Sequence, residues 1–189
     1  MRWTYISFVL LLSLMIFCSC KDRPRNIEWR DQAEYEIRRL VGKKIKYSTN
    51  IYTPYPQGSI DSVRKAECKI VTCIDAGCSI CLSKFDYWTE FMNRIDSLSS
   101  KKVSIMLYVY SDFFDKKRIE EFMKERWSYL WAYDYNYEFL DKNELYDDRF
   151  QALVLDENNT VKLIGNPYLN EEMEKLYVKY ILSLNENKY

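Results

Sequence analysis

The chain has 189 residues, with 28 basic and 28 acidic side chains, 48% hydrophobic residues and 16% aromatic residues. The balanced charge argues against a nucleic-acid partner, and the apolar content predicts a packed globular domain. The sequence contains no histidine, which excludes Ser-His-Asp and Cys-His hydrolases, HExxH metalloproteases and His-ligated zinc sites. Cysteine is therefore the leading candidate for any catalytic chemistry.

The N-terminus carries an apolar segment, residues 8–17, that is short for a membrane span and suits the apolar region of a signal peptide. The small Ser19 before Cys20, with polar residues beyond, resembles a bacterial lipobox, whose cysteine is lipidated and becomes the new N-terminus. We therefore expect residues 1–19 to be a lipoprotein signal peptide and Cys20 to be the lipidation site. The alternatives are an ordinary cleaved signal peptide and an uncleaved anchor.

A lipid anchor at Cys20 would hold the protein on a membrane of the bacterial cell envelope, facing the periplasm or the cell surface, where disulfides persist. Residues 28–40 then place apolar side chains at helical spacing, and Gly42 predicts the end of this helix. We expect residues 20–41 to form a tether and helix, and residues 42–189 to form one domain.

The domain alternates short apolar runs with segments of helical periodicity. Its predicted elements, in chain order, are a short strand at residues 45–47, a loop at 48–61, a strand at 69–75, a helix at 82–98, a strand at 102–111, a helix at 115–127, a strand at 135–140, a hairpin of residues 150–155 and 160–164, and a closing helix capped by Asn170. Strands that alternate with helices pair in parallel, and the late hairpin adds antiparallel strands. The sequence therefore predicts an α/β fold with a mixed sheet flanked by helices.

The most informative motif is the cysteine pair Cys78 and Cys81, which follows the strand at 69–75 and opens the next helix. Two cysteines on the first turn of a helix can cycle between dithiol and disulfide, and the helix N-terminus favours the thiolate of the first. Such a pair beside a βαβ pattern is typical of a thioredoxin-like redox motif. Cys78 would be the exposed nucleophile, and Cys81, on the apolar stripe of the helix, the resolving thiol. Asp75 would oppose thiolate formation if it lies close.

With this motif, and with the segments at residues 137–145 and 152–161, the chain resembles thioredoxin-fold proteins of the TlpA-like or peroxiredoxin-like group, found as lipoproteins in Bacteroidota-type bacteria. The resemblance covers residues 42–184. It implies a thioredoxin-like fold, a central mixed sheet flanked by helices with an N-terminal helical extension. It also implies a redox-active disulfide between Cys78 and Cys81, no metal or organic cofactor, and a protein or small-thiol redox partner for a monomeric protein.

Three positions depart from the family's pattern. Such proteins usually place a cis-proline just before the hairpin, a tryptophan before the first cysteine and a buried carboxylate six residues before that cysteine. Here the corresponding residues are Phe150, Gly77 and Thr72. The alternative function is therefore a non-catalytic thioredoxin-fold binding or structural lipoprotein with a degenerate active site.

The other cysteines of the domain have simpler interpretations. Cys68 and Cys73 lie on one predicted strand, about 16 Å apart and on opposite faces, so they cannot bridge each other. We expect both to be chemically inert. A metal site that uses Cys73, Cys78 and Cys81 lacks a further cysteine downstream, so no metal site is predicted. We expect the tyrosine-rich stretch at residues 129–137 to pack in the core rather than to stack on a ligand.

Overall fold

The computed structural model describes residues 25–100, 102–113 and 115–186. The predicted signal peptide at residues 1–19 and the predicted lipidation site at Cys20 lie outside these ranges. Within them, no helix has both the length and the apolar character needed to cross a membrane. The chain divides into two units between Tyr35 and Glu36, and the second unit carries the sheet.

The secondary structure follows the alternation of strands and helices expected from the sequence. The described residues form the helices α1 (Arg25–Leu40), α2 (Gln57–Arg64), α3 (Ser79–Leu98), α4 (Lys116–Arg126), α5 (Glu138–Asn143) and α6 (Glu171–Glu186). The strands are β1 (Ile51–Tyr52), β2 (Cys68–Asp75), β3 (Val103–Tyr110), β4 (Leu130–Asp134), β5 (Ala152–Asp156) and β6 (Val161–Ile164).

The strands form one mixed sheet in the order β1-β4-β3-β2-β5-β6. Neighbours β2, β3 and β4 are parallel, whereas β5 and β6 form an antiparallel hairpin that adds to the other side of β2. The central strand β2 is paired along its whole length with β3, from Cys68 opposite Val103 to Asp75 opposite Tyr110. This topology confirms the predicted α/β fold with a parallel core and a late hairpin.

Helix α3 is fixed to the sheet by one apolar stripe. Phe85, Trp88, Met92 and Ile95 are all fully buried, and burying a side chain of this kind stabilises the fold by roughly 1.5–3 kcal/mol. Cys81 lies at the top of the same stripe and packs against the core, half-buried. The packing confirms the predicted core-facing stripe, and it holds the first turn of α3 at the end of β2.

The segment before β2 differs from the prediction. Residues 45–47 do not form a strand; Lys44 makes a single bridge to Thr160, and the Ile45 N–H donates to the Asn159 carbonyl at 3.1 Å. The predicted loop at residues 48–61 instead contains β1 and the start of α2, which follows Pro56. Both elements depend on partners distant in sequence, because β1 is held by pairing with β4.

The strand predicted at residues 135–140 is also wrong, since the strand in this part of the chain is β4, Leu130–Asp134, which lies between β1 and β3. Asn136 and Tyr137 have φ values of 61° and 57°, which no strand accommodates. The Asp134 carboxylate then accepts the Phe139 N–H at 2.8 Å and starts α5. The aromatic residues predict a strand here, but the turn at Asn136 and Tyr137 and the hydrogen bond to Asp134 end β4 before them.

Candidate functional site

The cysteine pair lies on the first turn of α3, at the carboxyl end of the central strand β2. Cys78 is the N-cap residue with an extended backbone (φ −101°, ψ 115°), and its carbonyl accepts the Cys81 N–H at 3.0 Å. The Cys78 N–H in turn donates to the Asp75 carbonyl at 3.4 Å. The structure thus brings together the two residues that the sequence singled out, with Cys78 partly exposed at the helix N-terminus.

Gly77 allows a second loop to approach the cysteine pair. A Cβ at this position would lie 2.8 Å from Cδ2 of Phe113 and 3.2 Å from Oδ1 of Asp75. The Gly77 N–H donates to the same Asp75 oxygen at 2.8 Å. At the position where the resemblance would place a tryptophan before the first cysteine, the ring of Phe113, 79% exposed, therefore approaches from the loop after β3.

Cys81 is a thiol in a largely apolar setting. Burial raises its pKa to about 11, and a hydrogen bond with Cys78 and the negative charge of Asp75 act in the same direction. The positive charge of Lys84 opposes them by lowering the pKa. At neutral pH Cys81 is therefore protonated, as a resolving thiol would be before it attacks.

Lys84 is a buried charge that the sequence analysis missed. It lies one helical turn after Cys81, and its residue surface is only 5% exposed. Its Nζ is 3.8 Å from Oδ2 of Asp148, whose side chain is 64% exposed. The sequence did contain a signal for this buried charge, because the lysine lies three residues after the second cysteine and within the apolar stripe of the helix. Thr72, at the position where the resemblance would place a buried carboxylate, is itself buried and carries no charge.

The segment before β5 is held by Gln151 rather than by a proline. Its carbonyl accepts the Cys73 N–H at 3.2 Å, and its Nε2 donates to the Leu145 carbonyl at 3.0 Å. The Tyr110 hydroxyl donates to Oε1 of Gln151 at 3.3 Å, and burial raises the pKa of Tyr110 far above its usual value. Phe150, at the expected proline position, is buried, and no peptide bond among the described residues is cis.

The remaining cysteines of the domain are buried on β2. Cys68 and Cys73 are both almost fully covered, and burial raises the pKa of Cys73 well above its usual value. Burial limits the access of reagents to both thiols, and their inert role stays a prediction. Among the described residues, no three cysteine, histidine or carboxylate side chains are grouped so that they could hold a metal ion.

The tyrosine-rich stretch contributes to packing, as predicted. Trp131 is buried in the core, and Tyr129 and Tyr133 pack against it. The Tyr133 and Tyr135 rings meet edge to face, with their centroids 4.8 Å apart.

A parallel βαβ core with a cysteine pair at the start of its first helix, followed by an antiparallel hairpin and a closing helix, defines a thioredoxin-like fold. No protein-family model matches the chain, and no curated protein matches it either. Several solved structures, in contrast, are similar to this chain. The thioredoxin domain of a thiol-disulfide oxidoreductase from Bacteroides vulgatus superposes with a TM-score of 0.54 at 13% identity, over 75% of this chain and 98% of that one.

Two further structures show the same likeness. A secreted thiol-disulfide isomerase from Corynebacterium glutamicum has a TM-score of 0.53 at 13% identity, over 77% of this chain and 99% of that one. An uncharacterized thioredoxin-like protein from Porphyromonas gingivalis has a TM-score of 0.51 at 14% identity, over 65% of this chain and 78% of that one. At such low identity the likeness is one of fold, and it confirms the predicted thioredoxin-like architecture.

Proposed function

We propose that the protein is an extracytoplasmic, membrane-anchored thiol–disulfide oxidoreductase, with Cys78 as nucleophile and Cys81 as resolving cysteine. The observation that carries this proposal is the pairing of a partly exposed Cys78 at a helix N-terminus with a hydrogen-bonded, protonated Cys81 one turn further on. Solved proteins of similar fold are described as a thiol-disulfide oxidoreductase and a thiol-disulfide isomerase, which supports the same chemistry.

The reaction needs two exchange steps. The Cys78 thiolate attacks one sulfur of a substrate disulfide, forms a mixed disulfide and releases the other substrate sulfur as a thiolate. Cys81 then loses its proton and attacks the Cys78 sulfur, so that the Cys78–Cys81 disulfide forms and the second substrate thiolate leaves. The substrate gains two electrons and the cysteine pair loses them. A dithiol donor restores the pair, and the reverse sequence would oxidise a substrate dithiol.

The competing proposal is a thioredoxin-fold binding protein without catalysis. It draws on the replacement of the expected proline by Phe150 and on the anchoring of the same segment by Gln151. In that case Cys78 and Cys81 would be remnants of a redox ancestor. The two proposals differ in whether the cysteine pair exchanges reversibly with an external thiol.

The decisive measurement is the equilibrium of the purified full chain with glutathione buffers, followed by alkylation of the remaining thiols and by an insulin-reduction assay. We expect a reversible Cys78–Cys81 disulfide and insulin reduction that Cys78→Ser abolishes, because no other partly exposed thiol begins a helix in the described residues. Cys73→Ala, which changes a buried cysteine of β2, is the control and should keep the activity. If Cys78 and Cys81 form no reversible disulfide, the binding protein is the better description.

The membrane anchor is tested separately. We expect metabolic labelling with a fatty-acid probe in a bacterial host to mark the full chain, and Cys20→Ala to abolish the label, because the lipid would be attached to that sulfur. Cys18→Ala is the matched control and should retain the label. Labelling that persists in Cys20→Ala would show that the anchor site is elsewhere.

A further inference from the structure

The two exchange steps proposed for the cysteine pair give no role to the buried ammonium of Lys84. Lys84 follows Cys81 by three residues on α3, so their side chains share one face of the helix. Its ion pair with Asp148 spans 3.8 Å, which is longer than a hydrogen bond. A buried charge with such weak pairing is costly to the fold, and this cost points to a use for the charge.

The groups that act on the Cys81 thiol come from three elements. Asp75 at the end of β2 and Cys78 on α3 contribute negative charge when ionised, and Tyr110 on β3 is a neutral phenol. Lys84 on α3 also acts on this thiol, and among the groups named here it alone carries a positive charge.

Lys84 has two further neighbours that titrate. Cys73 on β2 lies within the reach of its charge, but this thiol is fully buried and protonated. Asp148 belongs to the turn before β5 and is largely exposed, so solvent screens its charge. The positive charge of Lys84 is therefore only partly neutralised and remains available to Cys81.

Building on the proposed function, we propose that Lys84 is a positioning residue for the resolving step: its ammonium stabilises the Cys81 thiolate while that thiolate attacks the mixed disulfide at Cys78. In this step the Cys81 thiol gives its proton to solvent, and its sulfur bonds to the sulfur of Cys78. The bond between Cys78 and the substrate sulfur breaks, and the substrate leaves as a thiolate. The uncharged Thr72 provides no comparable assistance.

The size of the effect follows from thiol chemistry. A thiol with a pKa far above neutral attacks through its small thiolate fraction, and each unit of increase in pKa lowers that fraction tenfold. Nucleophilicity rises about threefold over the same unit, so the net loss of rate is about threefold. Removal of the Lys84 charge should therefore slow the resolving step, by about threefold for each unit that the pKa of Cys81 rises, and leave the attack by Cys78 unchanged.

The reaction with an aromatic disulfide resolves the two steps in a single absorbance trace. The full chain, with serine in place of Cys18 and Cys20, is mixed with one equivalent of 5,5′-dithiobis(2-nitrobenzoate) at pH 7. Attack by Cys78 releases the first coloured thiolate, and attack by Cys81 on the mixed disulfide releases the second. The two phases report the two chemical steps, and Cys81→Ser should show the first phase only.

In Lys84→Met we expect the first phase to keep its rate and the second to slow at pH 7, by about threefold for each unit that the pKa of Cys81 rises. Lys84→Arg retains the charge and should restore the second phase, which a purely structural role would not require. Lys162→Met removes a lysine that pairs with Asp156, at the opposite end of β2, and should change neither phase.

For Asp148→Asn we expect the opposite effect to that of Lys84→Met. The side chain of Asp148 is largely exposed, so this change should not impair folding. It removes the negative partner of Lys84, so the second phase should become faster. Equal second phases in the wild-type chain and in a folded Lys84→Met overturn the inference, as does a slower second phase in Asp148→Asn. A wild-type chain that gives no second phase overturns the proposed function itself, which distinguishes the two failures.

Discussion

At the scale of single residues, Gly77 decides how closely the loop after β3 can approach the cysteine pair. A Cβ here would come within 2.8 Å of Phe113 and 3.1 Å of Oγ of Ser111. A larger residue at position 77 must therefore displace one of these two side chains. The Phe113 ring is exposed and can move aside. Ser111 directly follows β3 and has less freedom. The cost of a side chain at Gly77 therefore depends on Phe113.

We expect Gly77→Ala to lower the free energy of unfolding by about 1 kcal/mol. Adding Phe113→Ala should recover part of this loss, because the two residues are in contact and their effects are coupled. Urea unfolding of both single variants and the double variant measures the coupling. Gly58→Ala is the control, since a Cβ there meets nothing within 4 Å. Strictly additive effects at Gly77 and Phe113 would contradict the close approach.

At the scale of elements, the corner between β4 and α5 organises the start of the domain. The Glu138 carboxylate, at the first position of α5, accepts the backbone N–H groups of Thr49 and Asn50, both at 2.7 Å. The Ser48 hydroxyl lies 2.6 Å from this carboxylate and 2.6 Å from Oδ1 of Asp134, and its single proton is donated to one of the two. This clamp holds residues 48–50 against the corner and so delivers β1 to its pairing with β4.

The clamp predicts a pH-dependent stability. Hydrogen bonds from Asn50, Lys142 and Ser48 lower the pKa of Glu138 well below its ordinary value of 4.5. A carboxylate whose pKa is lower in the folded state stabilises the fold above the unfolded pKa, and this contribution fades as the pH falls toward the folded pKa. Glu138→Gln should therefore be less stable than wild type at pH 7.

The difference between Glu138→Gln and wild type should start to shrink below pH 4.5, and urea unfolding from pH 7 to pH 2 measures it. Glu171→Gln, at an exposed position on α6, is the control and should change stability little at any pH. A deficit in Glu138→Gln that stays constant down to pH 2 would show that the ionised carboxylate is not what the clamp needs.

At the scale of the whole molecule, what the sequence predicted correctly depends on local patterns. The sequence shows the continuous apolar run of β2 and the helical stripe of α3 directly. In each segment the spacing of the apolar residues indicates the type of element and the face that is buried. The hairpin of β5 and β6 is visible from its turn residues. The cysteine pair could be placed for the same reason, since its strand and helix are contiguous in sequence.

What the sequence did not predict depends on partners far along the chain. Strand β1 has two residues, and it exists through pairing with β4 and through the Glu138 clamp. The burial of Lys84 depends on the sheet and on the turn at Asp148, so the lysine looked like an ordinary helical cation. The place of Phe113 against Gly77 depends on how two separate loops meet.

The bridge between Lys44 and Thr160 also ties the start of the domain to one end of the sheet. Thr160 belongs to the hairpin turn, which lies at the Cys68 end of β2, whereas Cys78 follows the other end. Eight residues of strand separate the two ends, a distance of about 25 Å. The start of the domain at Lys44 is therefore fixed at one end of β2, and the cysteine pair lies at the other end.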